Sequence, residues 1–229
     1  METKKENVKK RDLLNIVRLY EPYYKAQAKY YHNFNHAYFT VDKGLDILSM
    51  LGAPEYLRVV FAHAMGSHDA HHLCGLQKTD KENIVRSLEV YNNMNCLDKH
   101  PLYKDMGSLI IRSTEVPYAE TPETIALRYK GIFNDMILAI QVARDIDHLG
   151  IIGIENEKQR EVALIGLMRE YSRNISKKDI LANYELETNK FFDSIHFYTQ
   201  PAKDWAAQNL EKMRAWQLNY TREAIELAY

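Results

Sequence analysis

Six of the nine histidines in this sequence fall between residues 32 and 72. They are His32, His36, His63, His68, His71 and His72. Histidine is the commonest metal-ligating side chain, and a metal site needs several ligands that converge on one point. The clustering therefore predicts a metal site in this part of the chain. His63 and the distant His100 and His196 are expected to be core or surface residues, whereas His71 is left open between the two roles.

Two short motifs place histidines at the spacing of one helical turn. His32 and His36 are four residues apart, so both imidazoles can project from one helix face. His68 and His72 have the same spacing, and Asp69 lies next to His68. A neutral imidazole beside a carboxylate suits a single divalent ion. We expect His36, His68 and Asp69 to supply three ligands from two facing helices.

A fourth ligand has to come from farther along the chain. Asp145 and Asp147 follow a strongly apolar segment over residues 136–142, so a carboxylate there would lie at the rim of the core. A buried carboxylate needs a partner, and a metal ion can be one. The residues themselves leave open which of the two aspartates is the ligand.

Other chemistries and locations have less support. The sequence contains no glycine-rich phosphate loop, no HExxH motif and no GxSxG motif. Its 30 basic and 31 acidic residues argue against a dedicated nucleic-acid or membrane-surface binder. The longest run without Asp, Glu, Lys or Arg, residues 30–41, is shorter than the roughly 20 residues of a membrane span. Two cysteines and a charged N-terminus with no apolar run behind it predict a cytoplasmic protein.

The elements that must position these side chains are expected to be helices. Apolar residues recur at three- and four-residue spacings, and Gly and Pro are scarce. One helix is predicted to end at residues 52–54. Further helices are predicted at residues 55–70, 82–96, 102–113, 155–172, 177–197 and 201–227. Thr121, followed by proline and glutamate, is predicted to begin a long segment that runs to about Asp147. We predict one all-α domain over residues 1–229, with nine or ten helices and about twelve frayed residues at the N-terminus.

These motifs resemble the HD superfamily of metal-dependent phosphohydrolases. His36, the adjacent pair His68–Asp69 and the distant Asp147 match the family pattern in order. The segment around Asp145 and Asp147 looks like the bacterial form of the last motif, in which the second aspartate is the ligand. The resemblance covers most of the chain. It implies an HD-domain-like helical bundle with a divalent ion held by His36, His68, Asp69 and Asp147.

A narrower resemblance is to the cyclic-nucleotide phosphodiesterases, a branch of the same superfamily. Residues 31–37 read YHNFNHA, similar to their YHNxxHA signature, and residues 68–72 fit their HDxxH motif. The resemblance implies that His32 donates a proton to the leaving oxygen and that His72 lies near a second metal. Glu115 falls where that branch has an aspartate, and Glu115 or Asp145 could be auxiliary ligands.

The expected activity is hydrolysis of a phosphate ester by metal-activated water, with His32 as the acid and Asp69 both as a ligand and as a group that orients water. The ligand set suits one or two ions of Mn, Fe, Co, Ni, Zn or Mg. Arg144, Arg112 and Lys43 are candidate phosphate contacts.

The expected substrate is a small phosphorylated molecule, a nucleotide and within that class a cyclic phosphodiester. Two alternatives stay open at this point. One is a di-iron oxygenase of the HD fold, which would need a second metal. The other is a non-catalytic nucleotide-binding regulatory module.

Overall fold

The computed structural model describes residues 9–77, 79–115, 120–127 and 130–229. Within these residues all the regular secondary structure is helical, which confirms the all-α prediction. The ten α-helices of this part of the chain are α1 (Lys10–Arg18), α2 (Phe34–Met50), α3 (Glu55–Ser67), α4 (Asp80–Asn93), α5 (Pro101–Arg112), α6 (Pro122–Ala126), α7 (Phe133–Leu149), α8 (Glu157–Tyr171), α9 (Lys177–Ser194) and α10 (Gln200–Ala228). Short 3-10 turns lie at Glu21–Gln27, Asn95–Leu97 and Lys130–Ile132.

The larger core is built around α3. Leu57, Phe61 and Met65 are spaced four apart, so they form one stripe, and all three are fully buried. Helices α1, α2 and α5 pack on α3, and α7 packs on α2 and α3. Gly44 of α2 faces the Phe61 ring so closely that a Cβ there would collide with it. This close approach brings together the two helices whose ends carry His36 and His68.

A smaller apolar cluster joins the last three helices. Its buried members are Ile151, Leu164, Met168, Ile180, Ala224 and Ile225. Helix α10 packs on both α8 and α9 and so holds them together. These helices form the wall that faces the histidine-rich end of the larger core.

Among the boundaries that differ from the sequence predictions, three bear on the N-terminus or the site. Helix α1 begins at Lys10, inside the dozen residues expected to be frayed, because Lys10 pairs with Asp42 and Asp46 of α2 and the apolar side of α1 is buried. Residues 1–8 lie outside the described residues. The long segment after Thr121 is two helices, α6 and α7, rather than one. Helix α3 ends at Ser67, so His72 does not share a helix face with His68.

Within the described parts of the chain, no helix combines the length and the apolar character that crossing a membrane requires.

Candidate metal centre

His36 is placed by the start of α2. The side chain of Asn33 accepts hydrogen bonds from the backbone N–H groups of Asn35 and His36, which is the usual way to begin a helix. The His36 side chain is therefore held in the first turn, and it is buried. His32 precedes the helix, so the expectation that His32 and His36 project from one helix face is wrong.

His68 and Asp69 lie where α3 ends. The Nδ1 atom of His68 is 2.7 Å from the carbonyl oxygen of Met65, which can only accept a hydrogen bond. Nδ1 must therefore carry the proton, and in the neutral ring Nε2 carries a lone pair. This is the tautomer that a histidine needs to ligate a metal through Nε2.

Four ligand atoms from three parts of the chain converge. The Oδ2 atom of Asp69 lies 3.2 Å from Nε2 of His36 and 3.1 Å from Nε2 of His68. The Oδ1 atom of Asp147 lies 3.7 Å from each of the same two nitrogens. We call His36, His68, Asp69 and Asp147 the metal-ligand group. The structure therefore brings together the four residues that the sequence predicts as ligands.

Three of these buried atoms have no hydrogen-bond partner within the described residues. They are Nε2 of His36, Nε2 of His68 and Oδ2 of Asp69. Burying polar atoms unsatisfied costs about 1–3 kcal/mol each, so such a cluster indicates a missing partner. A single divalent cation would satisfy all three at once, and the mixture of imidazole and carboxylate is a suitable donor set for it.

The charges of the group favour a cation as well. Burial by itself would lower the pKa of His68, but the charge of Asp69 raises it well above the ordinary value. Burial would raise the pKa of Asp69, but the neighbouring histidines hold it well below the ordinary value. The site therefore attracts positive charge, which protons supply in the absence of a metal ion.

The structure distinguishes Asp147 from Asp145. The carboxylate of Asp145 is fully buried and accepts hydrogen bonds from the backbone N–H groups of Tyr198 (2.7 Å) and Thr199 (2.8 Å), just before α10. Two residues along a helix are about 200° apart around its axis, so the two side chains point to different sides. Asp145 fixes the start of α10, and the suggestion that it is an auxiliary ligand is wrong.

A second group of potential ligands lies beside the first. We call His32, His72 and Glu170 the His32 group. Glu170 accepts hydrogen bonds from the backbone N–H of His32 (2.9 Å) and from its Nδ1 (2.7 Å). Burial alone would lower the pKa of His32, but the charge of Glu170 contributes most to raising it to about 9.

His72 supports the His32 ring. The two imidazoles stack with centroids 3.9 Å apart and planes 21° apart. Nδ1 of His72 accepts a hydrogen bond from the backbone N–H of Cys74, and Nε2 lies 2.8 Å from the carboxamide of Asn83. Burial, followed by the charge of His32, lowers the pKa of His72 to about 3, so its ring stays neutral. With both ring nitrogens occupied by protein atoms, His72 is a stacking platform for His32.

Two glycines let Glu170 reach His32. Gly166, one turn before Glu170 on α8, lies against the backbone where Tyr30 joins Tyr31, and a Cβ there would be 2.9 Å from that backbone. Gly75, with a φ of 91°, approaches the carbonyl oxygen of Glu170 so closely that any Cβ would collide with it. Glycine is required at both places because another backbone occupies the space.

Both groups border one cavity of about 760 Å³, a volume in the range of small-molecule sites. Asp69 and Asp147 reach its wall from the metal-ligand group, and His32, His72 and Glu170 reach it from the other. Helices α8, α9 and α10 form the opposite wall. A ligand in this cavity can therefore contact both groups.

The structure does not place the candidate phosphate contacts Arg144 and Lys43 at the cavity. Arg144 is buried and donates hydrogen bonds to the carbonyl oxygens of Ser113 and Glu120, so it braces the chain after α5. Lys43 forms an ion pair with Glu155. Neither residue lines the cavity.

Arg112 and Glu115 belong neither to the cavity wall nor to the two ligand groups found in the described residues. His71 is exposed with a φ of 58°, and its ring packs on Tyr23. His63 is buried against the hydroxyl of Tyr20, as expected for a core histidine.

Glu170 is a member of the His32 group that the sequence does not indicate. It lies 138 residues from His32, in a helix whose composition is ordinary. The only local sign is Gly166, since glycine inside a helix costs about 1 kcal/mol relative to alanine and so calls for a reason.

The chain has no match among models of protein families, among curated proteins or among solved structures. The function therefore has to be argued from this site alone.

Proposed function

We propose that the protein is a metal-dependent hydrolase of phosphate esters, of the HD type. The observation that carries the proposal is the set of three buried ligand atoms that converge without a hydrogen-bond partner among the described residues, beside a histidine–glutamate pair on one cavity. Ligand atoms without partners call for a cation, and a protonated histidine beside them can serve a leaving group.

His36, His68, Asp69 and Asp147 would hold the ion. Two imidazoles and two carboxylates suit Mn, Fe, Co, Ni or Zn, with Mg less favoured because it prefers oxygen ligands alone. When bound, the ion supplies a Lewis acid that activates water and polarises a phosphoryl group. The carboxylate of Asp69, which reaches the cavity wall, is placed to orient the attacking water.

His32 would hold the proton for the leaving oxygen. Its Nδ1 donates to Glu170, so its remaining nitrogen, Nε2, is left for the substrate. A pKa of about 9 keeps this ring charged at neutral pH, which is the form that a proton donor needs. His72 restrains the ring by stacking, and Glu170 restrains it by hydrogen bonding.

The finer proposal is a nucleotide substrate, and within nucleotides a cyclic phosphodiester. Its support is the YHNFNHA and HDAHH motifs at residues 31–37 and 68–72 and a cavity with room for a nucleotide.

The test combines metal analysis with an activity panel. Protein purified without added metal is expected to contain about one transition-metal ion per chain. Protein loaded with Mn or Co is expected to release phosphate or to open a cyclic phosphodiester in a panel of nucleotides. Metal bound at full occupancy with no turnover of any phosphate ester would contradict the proposal.

An oxygenase with two iron ions is the second candidate, because His32, His72 and Glu170 form a second set of potential ligands. The hydrogen bonds that already occupy their polar atoms speak for the hydrolase. About two iron ions per chain, together with substrate-dependent oxygen uptake, would favour the oxygenase.

A further inference from the structure

Gln27 connects the metal-ligand group with the His32 group. It ends the 3-10 turn Glu21–Gln27, is 3% exposed and does not line the cavity. Its Nε2 atom donates one hydrogen bond to the carbonyl oxygen of His32 (2.6 Å) and another to the carbonyl oxygen of Asp69 (3.0 Å). A single carboxamide nitrogen therefore joins the backbone of the proposed proton donor to the backbone of a proposed metal ligand.

The two acceptors fix the orientation of this carboxamide. Carbonyl oxygens can only accept hydrogen bonds, so the NH2 group of Gln27 must face them. The carboxamide oxygen Oε1 is then turned away, and it is buried with no hydrogen-bond partner among the described residues. A buried acceptor without a partner is unfavourable, so a side chain that keeps one calls for a reason other than stability.

The turn that carries Gln27 is anchored to α3. The hydroxyl group of Tyr24, in the same turn, donates a hydrogen bond to the carbonyl oxygen of Gly66 (3.1 Å). The hydroxyl group of Tyr20, just before the turn, lies 2.9 Å from Nδ1 of His63. Gly66 and His63 belong to α3, and both tyrosines are fully or almost fully buried. Gln27 therefore extends from a fixed support.

Glu170 and Gln27 hold different parts of His32. Glu170 accepts hydrogen bonds from the backbone N–H and from Nδ1, so it orients the ring. Gln27 holds the carbonyl group of His32 and, through the carbonyl group of Asp69, ties it to the metal-ligand group. In the proposed reaction Asp69 orients the attacking water and His32 protonates the leaving oxygen. Both must be in register with one phosphorus atom, and an error of about 1 Å in such an arrangement can cost about 100-fold in rate.

We infer that Gln27 is a positioning residue of this site, which sets the distance between His32 and Asp69 without contacting the substrate. The step that it supports is the departure of the leaving group. The oxygen of water bonds to phosphorus, the bond from phosphorus to the leaving oxygen breaks, and the proton of His32 passes to that oxygen. The inference rests on the proposed function for the roles of His32 and Asp69.

The first test compares two leaving groups in Gln27→Met, which keeps the shape of the side chain and removes the donor. The substrates are the phenyl and p-nitrophenyl esters of the class, phosphomonoester or phosphodiester, that the metal-loaded wild-type protein hydrolyses. Phenol has a pKa of about 10, like the tyrosine side chain, so its departure gains from a proton. The nitro group stabilises p-nitrophenolate, which leaves without one.

The variant is expected to lower kcat for the phenyl ester about 10–100-fold and kcat for the p-nitrophenyl ester less than about threefold. Its metal content should stay that of the wild type. A merely structural role would slow both esters alike. An equal loss of kcat for the two esters, or loss of the metal, would therefore overturn the inference.

Tyr20→Phe is the matched control. It removes another buried hydrogen bond from the same part of the chain, at a residue that does not line the cavity. Both variants are expected to lower the Tm by about 2–5 °C, but Tyr20→Phe should change kcat for either ester by less than about twofold. An effect of Tyr20→Phe on the phenyl ester equal to that of Gln27→Met would show a general consequence of lost stability and would count against the inference.

A double-mutant cycle tests whether Gln27 acts through His32. In a His32→Ala background, Gln27→Met is expected to lower kcat for the phenyl ester by less than about threefold, because the group that it positions is gone. A loss in that background as large as the loss in the wild type would mean that Gln27 acts independently of His32.

A crystal structure of metal-loaded Gln27→Met tests the geometry without any assay of activity. The carbonyl oxygens of His32 and Asp69 are expected to move apart by about 1 Å or more, since they no longer share a donor. Unchanged positions would overturn the inference. No turnover of any phosphate ester by the metal-loaded wild-type protein would instead overturn the proposed function, and this structure would then decide the positioning by itself.

Discussion

The metal-ligand group and the His32 group border the same cavity, but protein atoms satisfy only the second. In the His32 group the carboxylate of Glu170, Nδ1 of His32 and Nδ1 of His72 have hydrogen-bond partners, and Nε2 of His72 lies 2.8 Å from the carboxamide of Asn83. In the metal-ligand group three buried atoms have none among the described residues. Both groups consist of imidazoles and carboxylates, so the difference lies in their surroundings. It indicates that one group is arranged for a cation and the other for a proton.

Removal of a metal ligand should have the largest effect. His68→Ala is expected to weaken metal binding by more than about 100-fold, because even changes to side chains that support ligands cost about 10–100-fold. Activity should disappear with the metal. Elemental analysis and turnover would measure both losses, and His196→Ala, at an exposed position, is the control. Full metal content in His68→Ala would remove the basis of the comparison.

Removal of His32, the proposed proton donor, should affect chemistry alone. His32→Ala is expected to keep the metal and to lower kcat by about 10²–10⁴, the usual contribution of general acid catalysis. Loss of the metal from this variant would mean that His32 is a ligand and that the two groups form one binuclear site.

Glu170→Gln should change the pH dependence more than the maximal rate. The charge of Glu170 raises the pKa of His32, so its loss lets His32 lose its proton at lower pH. The wild-type rate should decline as the pH rises through about 9, and in the variant this decline should begin at lower pH. The rate at neutral pH is expected to fall by about 10–100-fold. An unchanged alkaline limb of the pH–rate profile would argue against His32 as the acid.

Asp145→Asn and Asp147→Asn form a matched pair. Asp145→Asn is expected to keep the metal and to lower the free energy of unfolding by about 1–3 kcal/mol, because charged hydrogen bonds to the start of α10 are weakened. Asp147→Asn is expected to lose metal affinity and little stability. Denaturant unfolding with metal analysis would distinguish them, and the reverse pattern would mean that the roles are exchanged.

The smallest expected effect is that of Gly166→Ala. The added Cβ would press on the backbone where Tyr30 joins Tyr31, so we expect a loss of about 1–3 kcal/mol in unfolding free energy and a weaker contact of Glu170 with His32. Gly131→Ala, where the Cβ meets open space, is the control and should change stability by less than about 1 kcal/mol. Equal stability of the two variants would show that α8 has room to move.

The metal-ligand group was largely predictable, although the residues by themselves did not choose between Asp145 and Asp147, and the resemblance favoured Asp147. The spacing around His36 and the adjacent His68–Asp69 indicate a metal site without any structure. The residues alone leave Asp145 and Asp147 equivalent, because both follow the same apolar segment. Only the packing of α10 shows that Asp145 accepts hydrogen bonds from the start of that helix, more than 50 residues away.

Two predictions failed because the sequence does not show which groups a side chain will contact. Arg144 looks like a phosphate contact in the sequence, but backbone carbonyl groups occupy its guanidinium. His72 matches a helical spacing, but the helix ends at Ser67 and the ring turns toward His32. A four-residue spacing places two side chains on one helix face only if the helix continues through both residues.

The sequence by itself determined that the fold is helical and that four potential metal ligands are present, because helix periodicity and ligand type are local properties. Only the tertiary structure decided that Glu170 pairs with His32 and that Asp145 is structural. Those properties depend on contacts between helices far apart in the chain, and no local pattern encodes which of them will meet.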